Sequence, residues 1–372
     1  MFFYALNERR KKLMPATVRV NIGDGYSVKI RRGVISNLGP EVLKLDDELE
    51  KEILLITDEK VSGLYLKKVI MNFNEYPKPE GTTLRVCELI IEGSEGTKNF
   101  QTLSKILEEM AGLGLTKKCC VIALGGGVVC DAAGFAAGCY QGGVKLVLVP
   151  TTLAAMIEAS VGGSAFLNLN AGKNLAGMKC NPSVVICDTD TLATLTHDEY
   201  QSGIAEAFKT AVMCGPELFN IFERGEEAVK ENIEKIIEGC IKFRAALKNQ
   251  DRAKCIGYEI CNAIESRSGY KIYHGAALAA GLEIITRAAF KMNWCSENTF
   301  QKIMNAMKKN NLAAKKIYRF NAGDIAQTIL NGRGILGGRT LELSVPVEIG
   351  RCELKQIRVE ELENILAVGM NL

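Results

Sequence analysis

The sequence predicts an α/β N-terminal domain with a mainly parallel sheet, followed by an all-α C-terminal domain. Short apolar runs alternate with helix-patterned segments in the first half of the chain. After about residue 190, apolar residues recur with a helical period over long segments in which proline is nearly absent. The length of 372 residues also suits two domains. The predicted domains are residues 1–190 and 191–372.

The parallel sheet is predicted from short aliphatic runs in the first half. These runs cover residues 53–57, 84–91, 120–124, 145–149 and 184–187. Segments with helical patterning, residues 100–113 and 128–140, separate some of them. This alternation is typical of strand–helix–strand units, whose strands lie parallel.

The C-terminal half is predicted to be helical because its apolar residues follow a period of about 3.6. The predicted helices are residues 200–213, 217–224, 228–247, 256–265, 275–290 and 297–308. A short β return and a last helix close the chain at residues 340–346, 353–358 and 359–368.

Composition excludes several classes of protein. The net charge of +3 gives no basic surface of the kind that nucleic-acid binding requires. No apolar run reaches the roughly 18 residues of a membrane span. The thirteen cysteines form no C-x-x-C pair, and most lie in apolar runs, which indicates buried thiols in a reducing compartment. We therefore expect a cytoplasmic protein without a nucleic-acid or membrane partner.

A glycine-rich turn joins a predicted strand to a helix in VIALGGGVVCDAAGFAAG, residues 121–138. Glycines at such a turn let backbone N–H groups approach a phosphate at the positive end of the helix. Tight strand–helix packing would use the same glycines. Asp131 falls in the first turn of the helix, where it could cap the helix or accept a hydrogen bond from a sugar hydroxyl.

Four further stretches could carry chemistry. Glu95 and Lys98 could form a solvated loop pair, and Glu206 and Lys209 could form a helical ion pair at i, i+3. The long segment 149–178 is rich in glycine and hydroxyl groups, which is typical of a functional loop. Tyr258 and Asn262 share a helical face shortly before His274, one of only two histidines, so a metal site, an altered metal site and plain packing remain open.

Eight motifs in order resemble the 3-dehydroquinate synthase family, within the NAD-dependent sugar-phosphate cyclases. They are EGTK, GGGVVCDAAGFAAGCY, VPTTL, SVGG, GKNLAGM, DTDTLATL, GIAEAFK and YHGAALAAGLEI. The resemblance implies a dehydroquinate synthase-like fold, with a Rossmann-like NAD-binding domain, a helical metal and substrate domain, and an active site between them. It also implies a homodimer in the shikimate pathway of aromatic amino acid biosynthesis.

The implied activity is that of a carbon–oxygen lyase acting on a sugar phosphate. In the family, NAD oxidises a ring hydroxyl, phosphate is eliminated, the hydride returns, and the ring opens and closes again as a carbocycle. Transient oxidation makes the neighbouring C–H acidic, which explains why a reaction without net redox change uses a nicotinamide. One divalent metal, zinc or another ion, assists.

The resemblance assigns cofactor contacts residue by residue. Glu95 and Lys98 match the family's pair for the adenosine ribose and phosphate. The other positions that match NAD contacts are Gly126, Gly127, Asp131, Thr151, Thr152, Thr194, Leu195 and Glu199.

The resemblance also assigns substrate and metal residues. Lys173, Asn174 and Lys209 match positions that hold substrate hydroxyls and carboxylate. Glu158 stands where the family has aspartate, and Lys242 matches another substrate lysine. The set that matches the family's metal ligands is Glu206, His274 and Tyr258.

The chain departs from the family pattern at the metal and phosphate positions. Gly142 replaces an arginine that reaches the neighbouring subunit, and Ser164 replaces a lysine. Cys255 replaces an asparagine, while Tyr258 and Asn262 replace two histidines. A neutral phenol is a poor metal ligand, because ionising it at pH 7 costs roughly 4 kcal/mol.

Arg252, Lys254 or Arg333 could compensate for charge lost from the phosphate pocket. Three interpretations remain open. The protein could be a cyclase, for 3-dehydroquinate or another product, with a variant site. It could be an NAD-binding relative without turnover. It could also be an NAD-dependent polyol dehydrogenase, although those enzymes usually bind their metal through several histidines.

Overall fold

A central sheet and two separate hairpins make up the strand structure. The computed structural model describes residues 16–21, 25–45, 50–77, 80–159, 161–170, 172–247, 255–312, 320–332 and 339–370. The strands of these residues are β1 (Ala16–Val20), β2 (Tyr26–Arg31), β3 (Glu50–Asp58), β4 (Thr83–Ile91), β5 (Cys120–Gly125), β6 (Lys145–Pro150), β7 (Ser164–Leu169), β8 (Gly172–Lys179), β9 (Val184–Asp188), β10 (Thr340–Glu348) and β11 (Arg351–Arg358).

The central sheet has the strand order β1-β2-β9-β6-β5-β3-β4. Its six strands from β2 to β4 in this order are parallel, and β1 pairs antiparallel with β2 at one edge. From β3 the chain moves to β4 on one side and then to β5 on the other. The order in which strands are added to the sheet therefore reverses between β3 and β5. In open α/β sheets, ligands bind at the carboxyl ends of the strands at such a switch point. Hairpins β7–β8 and β10–β11 stand apart from this sheet.

Both faces of the central sheet are covered in its middle, which explains why the inner strands β3, β5, β6 and β9 carry continuous apolar runs. In β3, Leu54 and Ile56 pack into one buried cluster, whereas Ile53 and Leu55 pack into another on the opposite face. This alternation follows from the two-residue period of a strand. The first cluster continues into the helical half of the chain, so the two halves share one core.

The helices surround the sheet and form most of the C-terminal half. In the described residues they are α1 (Leu38–Leu43), α2 (Glu59–Val61), α3 (Lys67–Glu75), α4 (Phe100–Gly112), α5 (Gly127–Cys139), α6 (Leu153–Ile157), α7 (His197–Cys214), α8 (Pro216–Glu223), α9 (Glu226–Glu231), α10 (Ile233–Ala246), α11 (Tyr258–Arg267), α12 (His274–Lys291), α13 (Glu297–Lys309), α14 (Ala322–Gly332) and α15 (Leu362–Met370). None of them combines the length and hydropathy that a membrane crossing requires.

Two close glycine contacts fix α12 against its neighbours. Gly257, at φ 72° before α11, lies so near Gly281 of α12 that a Cβ on Gly281 would meet the Gly257 carbonyl oxygen at 2.3 Å. A Cβ on Gly275, at the start of α12, would lie 2.3 Å from the Cα of Ser202 in α7. Side chains at these positions would push the helices apart. The start of α12 is thereby held between α7 and α11.

The predicted strands and most predicted helices occur within a few residues of their expected bounds, and the predicted fold class is confirmed. The predicted helix at 228–247 is wrong as one element: it is two helices, α9 and α10. Asn232 separates them with φ −110° and ψ 20°, and its side-chain amide donates to the carbonyl of Ala228 at 2.7 Å. The expected loop at 149–178 contains α6 and the hairpin β7–β8.

The predicted domain boundary near residue 190 falls just after β9, the last strand of the central sheet, which ends at Asp188. The division of the chain into two domains stays a prediction. The elements that were not predicted are β1, β2, β7, β8, α1, α2, α3, α6 and α14.

Candidate active site

A cavity of about 440 Å³ opens at the carboxyl end of the parallel strands. Asp58 at the end of β3, Gly93 after β4, Gly126 after β5 and Thr151 after β6 all line it. Neighbouring parallel strands place their carboxyl ends at one edge, so these four residues meet although they are far apart in sequence. We call this space the nucleotide cavity.

The glycine-rich turn forms one wall of the nucleotide cavity. Gly126 precedes α5, and Gly127 is the first residue of that helix. A Cβ on Gly127 would meet no atom within 4 Å, whereas a Cβ on Gly126 would lie 3.3 Å from Cγ2 of Thr152. The turn therefore leaves the positive end of a 13-residue helix open to the cavity.

The wall opposite the turn comes from the loop before α7 and from the segment after β3. Tyr65 Oη and Thr194 Oγ1 are 2.9 Å apart, and Lys60 Nζ donates to Glu199 Oε2 at 2.6 Å. Glu199 also accepts the N–H of Thr196 in the capping box of α7. The predicted cofactor residues that line the nucleotide cavity are Gly126, Gly127, Thr151, Thr152, Thr194, Leu195 and Glu199.

A second cavity, of about 580 Å³, adjoins the first. Gly127, Val128 and Thr152 line both cavities, which therefore form one cleft. We call the second space the charged cavity, because lysine, arginine, aspartate and glutamate side chains surround it. Its lining includes the predicted residues Glu95, Lys98, Asp131, Glu158, Lys173, Asn174, Glu206, Lys209, Tyr258 and His274.

Lys98 contacts three other side chains that line the charged cavity. Its buried Nζ donates to Asp131 Oδ2 at 2.9 Å and to Asn174 Oδ1 at 2.6 Å, and it lies 3.2 Å from Glu95 Oε1. Burial raises the pKa of Asp131, although the charge of Lys98 opposes the shift. We expected Glu95 and Lys98 at the adenosine end of the cofactor. They lie instead in the charged cavity and are absent from the lining of the nucleotide cavity, as is Asp131, which we also expected to contact the cofactor.

Lys209 lies at the centre of the charged cavity and is almost completely buried. Its Nζ is 2.5 Å from Glu206 Oε2 and 3.1 Å from Glu158 Oε1. Burial alone would lower the pKa of Lys209, but the charges of Glu158 and Glu206 raise it well above its usual value. Burial would likewise raise the pKa of Glu206, but the charge of Lys209 and the hydrogen bond from His274 hold it well below its usual value.

Arg244 is a residue of the charged cavity that sequence reasoning missed. Its Nη1 lies 2.8 Å from Glu158 Oε1, and its Nε is buried without a hydrogen-bond partner in the described part of the chain. The predicted Lys242 does not line the cavity: its side chain is 61% exposed and pairs with Glu238 at 2.6 Å. Two residues along a helix correspond to a rotation of about 200°, which turns Lys242 to solvent where Arg244 faces inward.

His274 contacts acidic side chains through both ring nitrogens. Nε2 lies 2.7 Å from Glu206 Oε1, and Nδ1 lies 3.3 Å from Glu265 Oε2. The other oxygen of Glu265 is 3.1 Å from Nζ of Lys173. Burial alone would raise the pKa of Glu265, but the hydrogen bond and charge of His274 and the charge of Lys173 lower it to about 2. Cys261, one turn before Glu265 on α11, completes this group.

Family models match two adjoining stretches of the chain. The model described as 3-dehydroquinate synthase N-terminal matches residues 88–202, and that described as 3-dehydroquinate synthase C-terminal matches residues 203–333. The chain belongs to the 3-dehydroquinate synthase family. The 3-dehydroquinate synthase of Prochlorococcus marinus (strain AS9601) is 30% identical, over 93% of this chain and 96% of the relative. That of Alkaliphilus metalliredigens (strain QYMF) is 32% identical, over 92% and 96%.

Solved structures share the fold of this family member. A 2-deoxy-scyllo-inosose synthase in complex with carbaglucose-6-phosphate, NAD⁺ and Co²⁺ superposes with a TM-score of 0.83 at 21% identity, covering 95% of this chain and all of the other. The 2-epi-5-epi-valiolone synthase of Streptomyces hygroscopicus subsp. jinggangensis 5008, with NAD⁺ and Zn²⁺ bound, gives 0.76 at 20% identity, over 95% and 98%. A probable glycerol dehydrogenase from Sinorhizobium meliloti 1021 gives 0.63 at 14% identity, over 92% of this chain.

The residues present do not fit the family's metal site at Glu206, Tyr258 and His274. Burial and the charge of Glu158 raise the pKa of Tyr258 well above its usual value, so the phenol resists becoming the anion that a metal needs. The ammonium of Lys209 bonds Glu206 and lies 5.1 Å from the centre of the Tyr258 ring, where it would repel a metal cation. Glu206 and His274 remain as two adequate ligands, and a catalytic zinc site usually has three.

The other positions at which this chain departs from the family pattern have the following local contacts. Gly142 has φ 81° in a turn after α5, and Ser164 Oγ donates to the carbonyl of Gly162 at 3.4 Å. Cys255 lines the charged cavity. Oδ1 of Asn262 is buried without a hydrogen-bond partner among the described residues. The possible compensating residues Arg252, Lys254 and Arg333 lie outside the described residues.

Proposed function

We propose that this family member is a sugar-phosphate cyclase of the 3-dehydroquinate synthase type, a carbon–oxygen lyase that binds NAD. The observation that carries the proposal is the continuity of the nucleotide cavity with the charged cavity through Gly127, Val128 and Thr152. A cofactor and an anionic sugar can thereby meet in one cleft. The names of the relatives and the ligands in the related structures support the same assignment.

The nucleotide cavity fits a dinucleotide. An open helix N-terminus beside Gly127 suits a pyrophosphate, and Asp58 ends a parallel strand where an acidic residue can accept hydrogen bonds from ribose hydroxyls. Gly126, Gly127, Thr151 and Thr152 would hold the pyrophosphate, while Thr194, Leu195 and Glu199 would form the opposite wall. Bound NAD supplies a transient oxidation of a substrate hydroxyl, which acidifies the neighbouring C–H.

The charged cavity suits an anionic substrate. Arg244 directs a buried guanidinium with an unpartnered Nε toward the cavity, and Lys209 and Lys173 add two ammonium groups. A guanidinium can bind a carboxylate with two parallel hydrogen bonds, and such charge-assisted bonds contribute about 1.5–3 kcal/mol each. We infer that Arg244 and Lys209 bind the carboxylate of a seven-carbon keto-acid phosphate. Their existing partner, Glu158, holds both cations in place before the substrate arrives.

Asn174, Lys98 and Asp131 would orient the sugar hydroxyls. Asn174 has φ 57°, a left-handed conformation that asparagine tolerates, and its amide is tied to Lys98. Lys98 is in turn held by Asp131. Because both partners of Lys98 are buried or half-buried, this network presents hydroxyl-binding groups in a fixed arrangement.

Three further expectations, about location, pathway and assembly, belong to the proposed function. The protein acts in the cytoplasm, within the shikimate pathway of aromatic amino acid biosynthesis, and it assembles as a homodimer. Light scattering coupled to gel filtration measures the oligomeric state, and a mass of a single chain would contradict the dimer.

Phosphate release tests the proposed reaction. The purified protein is given NAD, a divalent metal and the seven-carbon keto-acid phosphate, and inorganic phosphate is measured with time. We expect release that depends on substrate and NAD and that falls to background in a Lys209→Met variant. Folded, NAD-bound protein that releases no more phosphate than this variant would contradict the proposal. Phosphate release from a hexose phosphate in a parallel reaction would identify a cyclase that acts on another sugar phosphate.

The second candidate is an NAD-binding relative without turnover, which the substitutions at Tyr258 and Asn262 favour. It predicts NAD binding without phosphate release from any sugar phosphate. The same reactions also test a polyol dehydrogenase, whose fold is shared. Net accumulation of NADH with a glycerol-like alcohol would support that activity, whereas a cyclase returns its hydride and accumulates none.

A further inference from the structure

Three side chains with metal-binding atoms converge beside the charged cavity, on the side of His274 that faces away from Glu206. Cys261 Sγ lies 3.6 Å from Glu265 Oε2 and 3.7 Å from His274 Nδ1. Glu265 Oε2 and His274 Nδ1 are 3.3 Å apart. In the described part of the chain, this is the one group of three or more histidine, cysteine and acidic side chains whose ligand atoms lie mutually close. We call it the thiol triad.

The spacing of the thiol triad matches a tetrahedral zinc site. With Zn–S bonds of about 2.3 Å and Zn–N or Zn–O bonds of about 2.0–2.1 Å, tetrahedral angles separate sulfur from nitrogen or oxygen by about 3.5–3.6 Å. The same geometry separates nitrogen from oxygen by about 3.3–3.4 Å. All three observed separations are within about 0.2 Å of these values.

Two ligands of the thiol triad, His274 and Glu265, also bond a side chain outside the triad. His274 presents its other nitrogen, Nε2, to Glu206 Oε1 at 2.7 Å, and metal-bound histidines commonly donate their second N–H to a carboxylate. Lys173 bonds the Glu265 oxygen that points away from the triad, at 3.1 Å. Cys261 and Glu265 are buried, four residues apart on one face of α11.

The ligand types favour this side of His274 over the family's position, since a lysine bonds one oxygen of the acidic ligand at both positions. At the family's position, Lys209 bonds Glu206 directly and the third candidate ligand is a neutral phenol. The thiol triad instead offers a carboxylate, an imidazole nitrogen and a thiol, which is a strong ligand for zinc once deprotonated. The nearby Lys173 contacts the oxygen of Glu265 that the triad does not use.

We propose that Cys261, Glu265 and His274 Nδ1 bind one thiophilic divalent cation, zinc or cobalt, displaced from the family's metal position to the opposite face of the histidine. Binding forms a metal–sulfur bond and releases the thiol proton to solvent. We assign water as the fourth ligand, because His274 and Lys173 line the charged cavity whereas Cys261 and Glu265 do not. A part for this metal in catalysis would rest on the proposed function, but the binding site itself does not.

Cobalt titration tests the thiol triad without measuring activity. The protein is stripped with a chelator and titrated with Co²⁺, while absorbance is followed in the near ultraviolet and the visible. We expect one Co²⁺ per chain, with a thiolate-to-cobalt charge-transfer band. Cys261→Ala and Cys261→Ser should remove this band and weaken Co²⁺ binding about tenfold or more, as losing a ligand does. Thermal melting and NAD binding verify that each variant is folded.

Two matched variants distinguish metal binding at the thiol triad from metal binding at the family's position. Cys255→Ala removes a cysteine that lines the charged cavity, and Tyr258→Phe removes the phenol of the family's position. Both variants should retain the band and bind Co²⁺ within about twofold of the unmodified protein. Loss of binding in Tyr258→Phe with retention in Cys261→Ala would overturn the proposal, as would absence of the band or of any Co²⁺ binding. These results are independent of phosphate release, so failure of the site and failure of the reaction are distinguishable.

Discussion

The ammonium of Lys209 lies 2.5 Å from the carboxylate of Glu206, one turn earlier on α7, and both side chains are only 1% exposed. Such a buried pair is costly to break from one side, because the remaining charge loses its closest counter-charge where there is little solvent to replace it. Glu206 is also the residue that holds His274, while Lys209 reaches Glu158. One ion pair therefore links α7 to two other segments of the charged cavity, those of His274 and Glu158.

Removing the charge of Lys209 should destabilise the fold. We expect Lys209→Met to lower the free energy of unfolding by about 3–5 kcal/mol, since it leaves Glu206 buried opposite an apolar side chain. Lys230→Met is the matched control, because Lys230 forms exposed pairs with Glu226 and Glu227, and it should leave the free energy of unfolding close to that of the unmodified protein. Urea unfolding followed by circular dichroism measures both. Equal losses of unfolding free energy in the two variants would contradict the larger cost that we expect for breaking the buried pair.

Substitution of Arg244 should lower the rate of turnover, whereas substitution of Lys242 should not. We expect Arg244→Ala to lower kcat/KM by roughly 10- to 150-fold, the equivalent of one charge-assisted hydrogen bond of about 1.5–3 kcal/mol. Arg244→Lys should recover part of this loss, because it keeps the charge without the planar fork. Lys242→Ala, two residues away and exposed, should resemble the unmodified protein. Phosphate-release kinetics measure all three, and an effect of Lys242→Ala as large as that of Arg244→Ala would contradict the assignment.

A side chain at Gly127 should block the cofactor without disturbing the fold. A Cβ there meets no atom within 4 Å, so valine would project into the nucleotide cavity rather than into the protein. We expect Gly127→Val to weaken NAD binding by at least about tenfold, which is 1.4 kcal/mol. Gly112→Val, at the end of α4, meets equally open space far from the cavity and serves as the control. Calorimetry with NAD measures the affinities; unchanged binding in Gly127→Val would place the cofactor elsewhere.

Acid should remove a contribution of Glu265 to stability in metal-stripped protein. Its pKa is lowered to about 2 from 4.5, so its stabilisation is present above about pH 4.5 and is lost as the pH falls toward 2. The lost amount is roughly 3 kcal/mol. Glu265→Gln should therefore flatten this part of the dependence of unfolding free energy on pH, whereas the exposed Glu217→Gln should not. Parallel curves for Glu265→Gln and the unmodified protein would contradict this prediction.

Most of the fold could be predicted because its signals are local. The continuously apolar runs of β3 and β5 indicate strands buried on both faces, and the glycines after β5 indicate an open helix start. The helical period of α7 and α12 similarly follows from neighbours along the chain. The split at Asn232 was missed because asparagine can occur within a helix, and only the observed backbone angles and side-chain bond reveal the break.

The candidate site was predictable where a motif fixed both residue and position, as at Gly126, Gly127 and Thr152. It was not predictable for Arg244, which differs from Lys242 only in the side of α10 that faces the cavity. The thiol triad had one local signal, the four-residue spacing of Cys261 and Glu265 on α11. Nothing in that spacing indicates that His274, from another helix, joins them.

The sequence by itself therefore determined the α/β and helical halves, the glycine turn and membership of a family, because these depend on periodicity and on ordered motifs. Only the tertiary structure decided which charges share the cleft. The close contacts of Gly257 with Gly281 and of Gly275 with Ser202 set the start of α12 between α7 and α11. His274 thus lies between Glu206 and the thiol triad, because distances between side chains of different helices depend on how backbones pack.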